Sequence, residues 1–163
     1  MRDPEVTSRI MSAVGNRDTS PEIALRSALW KEGLRFRVKS KLFGKPDIDF
    51  PGPRVAVFVD GDFWHGNAWR IRGMASFDAQ IEHINNGERW KAKICRNMER
   101  DRAVNTRLSG DGWRVYRVFE SRLKKDLVGV TGEISDLVRS RRKDRTARID
   151  DSGRPKENPC QGR

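Results

Sequence analysis

Val55-Ala56-Val57-Phe58-Val59 is apolar at every position, the pattern of a central strand covered on both faces. The elements around it are predicted from where the apolar period changes. Upstream, Ser20-Pro21-Glu22 supplies a helix start, Ala24, Leu25, Ala28 and Leu29 form one apolar face, and Gly33 ends the pattern. Arg35-Phe36-Arg37-Val38-Lys39 alternates with period two, which predicts a half-exposed strand. Gly44-Lys45-Pro46 predicts a turn, Asp47 to Phe50 a second short strand, and Pro51-Gly52-Pro53 a tight turn into the buried strand. Residues 66 to 88 show weak periodicity and read as a loop with one short helix.

From Glu88 to Leu108, Trp90, Ile94, Met98, Val104 and Leu108 recur at helical spacing, and Gly110-Asp111-Gly112 stops the helix. Trp113 to Phe119 is then a strand, and Leu123, Leu127, Val130, Ile134 and Leu137 or Val138 line one side of a final helix. The order helix, three strands, helix, strand, helix predicts an α/β domain with a mixed central sheet flanked by helices. Residues 1–19, with few apolar positions, read as an arm, 20–139 as the domain, and 140–163 as a basic disordered tail.

Charge narrows the class of partner. The 163 residues carry 34 Lys and Arg against 23 Asp and Glu, a net +11, which points to a polyanion. The basic residues accompany no apolar helical face of matching size, which argues against a membrane surface. No apolar run reaches the roughly 18 residues of a spanning segment, and the polar start does not resemble a signal peptide, so a cytoplasmic protein is expected. Cys95 and Cys160 are too few for a disulfide framework or a zinc ribbon.

Chemistry concentrates at the strand ends. Asp47 starts one strand and Asp60 ends the next, so neighbouring strands can present two carboxylates to a hard cation such as magnesium, although strand-end acids can also be mere caps. The lysine common two residues after the second acid in restriction-type nucleases is here Asp62. Phe63, Trp64 and His65 follow directly. The aromatic pair suits either core packing or stacking on bases, and histidine is the side chain that exchanges protons near neutrality. Asp101 lies on the inward stripe of its helix, where a charge needs a partner: His65, an ion's water or an arginine.

Over about residues 7 to 122 the chain resembles the very short patch repair endonucleases. The matching stretches are Met11, Arg17-Asp18-Thr19 with Glu22, Gly33-Leu34-Arg35-Phe36-Arg37-Val38, Lys45-Pro46-Asp47, Phe63-Trp64-His65, Asn97-Met98-Glu99-Arg100-Asp101 and Gly112-Trp113-Arg114-Val115. The resemblance implies a restriction-endonuclease-like (PD-(D/E)xK) fold that nicks one strand of double-stranded DNA 5′ to the thymine of a T:G mismatch, starting repair of deaminated 5-methylcytosine. It implies Mg2+ bound by Asp47 and the backbone carbonyl of Val59, and the strand-end pattern adds Asp60 to them as an expected metal-binding and catalytic acid. His65 would be the general acid or base held by Asp101, and Glu22 would lie against the ion's water. Met11, Phe63 and Trp64 would wedge into the duplex, with Arg17 on the DNA.

Two departures alter those expectations. The family's zinc-ligand positions hold Asp62, Asn67, Trp69 and Ser121, so no structural zinc is expected, and Asp60 stands where better-known members carry histidine. The loop before Trp90 is also longer. A monomer is expected, with repair proteins as possible partners. Two other functions remain open: a nuclease of the same fold acting on other mismatches or modified DNA, and a non-catalytic DNA-binding module. Acids facing phosphates argue against the second.

Overall fold

The computed structural model describes residues 18–147. Met11, Arg17, most of the expected arm and the last sixteen residues lie outside them. Helix α1 spans Ser20–Lys31, strand β1 Ile48–Phe50 and strand β2 Val55–Asp60. Two short helices follow, α2 (Ala68–Ile71) and α3 (Phe77–Glu82), then the long α4 (Gly87–Gly110). Strand β3 (Arg114–Phe119), α5 (Glu120–Lys125) and α6 (Leu127–Ala147) complete the order. No described helix is long and apolar enough to cross a membrane.

The sheet is mixed, in the order β1-β2-β3. β1 runs antiparallel to β2 with Ile48 opposite Val57, and β3 runs parallel to β2 with Val55 opposite Arg114 and Asp60 opposite Phe119. Side chains of a strand alternate between faces, and both faces of β2 are covered. Val55 and Val57 join Leu25, Leu29, Val130 and Ile134 in a core built with α1 and α6. Ala56 and Phe58 meet Val104 and Leu108 of α4 on the other side. Helices on two sides explain why the β2 run is apolar throughout.

The predicted strand at 35–39 does not form. Its place holds one bridge, Arg37 with Asp49, closed by reciprocal backbone bonds of 2.9 and 3.0 Å. Phe36 packs edge-on against Phe50 at 5.8 Å, but Val38, which the alternation puts on the same face, is exposed. The chain turns away from a three-residue neighbour that offers no longer edge to pair with.

The stretch expected to be a loop with one short helix contains two. The single final helix is two, broken at Asp126, whose side chain accepts the Gly129 amide and so caps α6. α6 also continues past residue 139, where a tail was expected. Arg139 reaches Glu32, while Arg141 donates to the carbonyls of Pro53 and Gly112, so the polar end of the helix is docked by its arginines.

Candidate active site

The C-terminal end of β2 and the residue preceding β1 meet, which brings Asp47 and Asp60 into one cleft as their positions at strand ends require. Clefts of about 160 and 290 Å3 share Asp60, His65, Asp101 and Arg117, and Asp47 with Val59 lines the smaller. Asp47 Oδ2 accepts the Val59 amide at 2.8 Å. In a strand the N–H and C=O of one residue lie on the same edge, so the Val59 carbonyl faces the same space.

Asp47 is short of positive charge. Burial pushes its carboxyl up to about 6, the Val59 amide opposes the shift, and the nearby charges of Glu22 and Asp60 add to it, with Arg26 opposing. Glu22 is itself buried at the start of α1, accepting from the Asp18 amide, the Thr19 hydroxyl and Arg26 Nη2. It is close enough for Asp47 to feel its charge but does not line either cleft.

The loop after β2 carries His65. Its Nδ1 is 2.5 Å from Asp101 Oδ2 and 3.7 Å from Asp60 Oδ1. Asp101 therefore takes up one ring nitrogen and leaves Nε2 for the cleft, the arrangement by which a carboxylate orients an imidazole. Two contacts press the loop onto α4. Asn97 Nδ2 donates to the Trp64 carbonyl at 3.1 Å. Gly66 has φ +72°, and a Cβ there would meet Met98 Sδ at 2.9 Å, so a side chain at this position would push the histidine loop off the helix.

Phe63 and Trp64 form a cluster with Trp90 of α4, with ring centroids 5.2 to 5.7 Å apart. Lys93 Nζ lies 4.6 Å from the Trp64 centroid. The aromatic pair is thus partly packed and partly presented beside a cation. Asp62, one of the four residues standing at the zinc-ligand positions that the resemblance implies, accepts from Asn67 Nδ2 and Ser121 Oγ at 2.7 Å and from the Ser121 amide at 3.0 Å. Three of the four positions thus form a hydrogen-bonded clip between the histidine loop and the start of α5; Trp69 instead lies under the Arg70 guanidinium at 4.5 Å.

Arg117 escaped the sequence reading. Its Nη1 donates to both oxygens of Asp60 at 2.7 and 2.9 Å, Nη2 is 3.1 Å from Asp101 Oδ1, and Nε donates to Asn105 at 3.0 Å. A signal was available: an arginine in the interior of a strand that must be inward on one face requires acids opposite it. Trp90 was visible only as a member of the apolar stripe and Asn97 only within a matching stretch, and Lys93 had no signal, because a helix-surface lysine acquires a role only through what packs on it.

Among the described residues, ligand atoms of Asp60, His65 and Asp101 lie within 4.8 Å of one another, close enough to hold a cation. Proximity alone overstates that group, because the Arg117 guanidinium already pairs with both acids and offsets one of their two negative charges. Asp47 has no ion pair among the described residues, and with the Val59 carbonyl it offers hard oxygen donors that fit a magnesium-type ion.

The sequence model of the DNA mismatch endonuclease Vsr family matches residues 1–71. A type II nicking enzyme of Neisseria meningitidis serogroup C is 40% identical over 139 residues, covering 85% of this chain and 89% of that protein. A type II nicking enzyme of Haemophilus parainfluenzae is 36% identical over 85% of this chain and 94% of its own length. The DNA mismatch endonuclease Vsr of Escherichia coli K12 is 35% identical over 76% of this chain and 75% of its own.

Proposed function

This chain belongs to the DNA mismatch endonuclease Vsr family and is an endonuclease, and we propose that it nicks one strand of DNA 5′ to the thymine of a T:G mismatch in a magnesium-dependent reaction. The observation that carries this reading is the placement of Asp47 and the Val59 carbonyl, donors lacking a cation, in one cleft with an oriented His65–Asp101 pair. We also assign the mixed sheet to the restriction-endonuclease-like class. Acids at the start of β1 and the end of β2 support that assignment.

In this mechanism Asp47 and the Val59 carbonyl hold the ion, which when bound supplies charge neutralisation at the scissile phosphate. Asp101 fixes the tautomer and aim of His65, whose Nε2 exchanges a proton with the attacking water or the departing oxygen. Phe63 and Trp64 lie next to the catalytic histidine in sequence and offer flat faces to an opened base step. The Lys and Arg excess holds the duplex through its phosphates, so affinity falls steeply with salt.

Labelled T:G, T:A and C:G duplexes incubated with magnesium, and again with EDTA, test the proposal. A single nick 5′ to the mismatched thymine, lost in EDTA, is expected. Equal cutting of matched duplexes would remove the mismatch assignment, and cutting that survives EDTA would remove the ion.

A further inference from the structure

Asp60 of β2 and Asp101 of α4 approach each other where the helix covers the sheet and would repel without a positive charge between them. β2 and β3 are parallel with Phe58 opposite Arg117, so Arg117 lies on the face of Ala56, Phe58 and Asp60, against α4. Its guanidinium stands 4.3 Å from the Phe58 ring centroid and spans from Asp60 of β2 to Asp101 of α4. Nε is tied to Asn105, one turn along α4 from Asp101. The side chain is 18% exposed, so its three nitrogens are fixed by side chains from two elements while one edge reaches the cleft.

We propose that Arg117 is a built-in second cation of this active site: it occupies the position between Asp60 and Asp101 that a divalent ion would otherwise take, and confines metal to Asp47. The inference rests on the reading of Asp47 as the ion's ligand and specifies which part of the cleft is closed to metal. Asp60, which the sequence suggested as a metal ligand, is then a partner of Arg117. Arg117 is a positioning residue: it holds one oxygen of Asp101 while the other oxygen faces His65.

A guanidinium is bound irreversibly to the chain and forms a planar fork that suits two carboxylates. Removing it would leave two acids and a histidine grouped within ligand distance of one another, a latent site for a hard cation. The test is therefore a count of ions rather than a rate alone. Mn2+ binding to the full chain, without DNA, is measured by electron paramagnetic resonance and calorimetry for the wild type, Arg117→Gln, Arg117→Met and Arg117→Lys.

The wild type should bind Mn2+ only through Asp47, so that all binding is lost in Asp47→Ala. Arg117→Gln and Arg117→Met should each gain a further equivalent and a larger Mn2+-induced rise in Tm than the wild type, whereas Arg117→Lys should gain neither. Gln keeps a donor for the acids, so it preserves a folded protein if Met does not. An unchanged count in the folded neutral variant overturns the proposal, as does wild-type Mn2+ binding that persists in Asp47→Ala. A wild type that binds none, beside an Arg117→Gln variant that binds one, would support the role of Arg117 and sink the reading of Asp47.

Discussion

Asp47 and Asp60 line the same cleft and live in opposite electrostatic conditions. Asp47 is half-buried against a neutral amide with Glu22 and Asp60 nearby, and its carboxyl is pushed up to about 6. Asp60 has both oxygens on a guanidinium that also serves Asp101. Equal residue types at neighbouring strand ends are thus divided by what the fold sets opposite them. One acid has its cation supplied by the chain; the other, on the function proposed above, takes one from solution.

The largest test of this contrast is a pair of substitutions. Asp47→Ala should reduce nicking by roughly a thousandfold or more, since a phosphate-bound ion is worth several kcal/mol to the transition state, while DNA affinity stays within a few-fold. Asp60→Asn should cost about tenfold, because Arg117 keeps Asp101. Similar losses for both in a nicking assay would abolish the distinction.

The Arg117 side of the cleft is sharpened by His65→Ala, expected to slow nicking roughly a hundredfold, the scale of lost proton transfer. Asp101→Asn should have a smaller effect, and the double variant should be little worse than His65→Ala if the two act as a unit. Single-turnover rates decide this. Fully multiplicative losses would assign Asp101 to its contact with Arg117 instead.

The Asp47 side makes a prediction for stability without DNA or metal. Its folded pKa of about 6 exceeds the ordinary 3.8, so the folded state holds the proton more tightly, and this group's contribution to stability falls as pH rises across that window. Asp47→Asn should therefore stabilise the EDTA-treated protein by about 1–3 kcal/mol above pH 6, with the gain vanishing near pH 4. Thermal melts at the two pH values would expose an Asp47 that carries no such penalty.

The smallest effect is expected outside the acids. Trp64→Ala should lower the preference for T:G over T:A duplexes by a few-fold to tenfold. A fall in Tm with unchanged preference would reduce the Phe63, Trp64 and Trp90 cluster to packing.

Much of this molecule was legible in its residue order. The β2 run, the two-sided burial it implies, the helix from 87 to 110 and the acids at strand ends all follow from periodicity and turn chemistry, which report which face of an element is covered. The position of Asp101 on an inward stripe was enough to demand a partner, and two of the candidates meet it, His65 at 2.5 Å and an arginine, Arg117, at 3.1 Å. Periodicity does not report which charged residues of different elements meet. The strand expected at 35–39 was lost because pairing needs a neighbour long enough to accept it, a property of β1 and not of the alternating segment. The docking of α6 beyond 139 depends on carbonyls of turns far away in sequence. The parallel register of β2 and β3 sets Arg117 beside Phe58, within reach of Asp60 and Asp101, and so only the tertiary structure decided which acid was left without a cation.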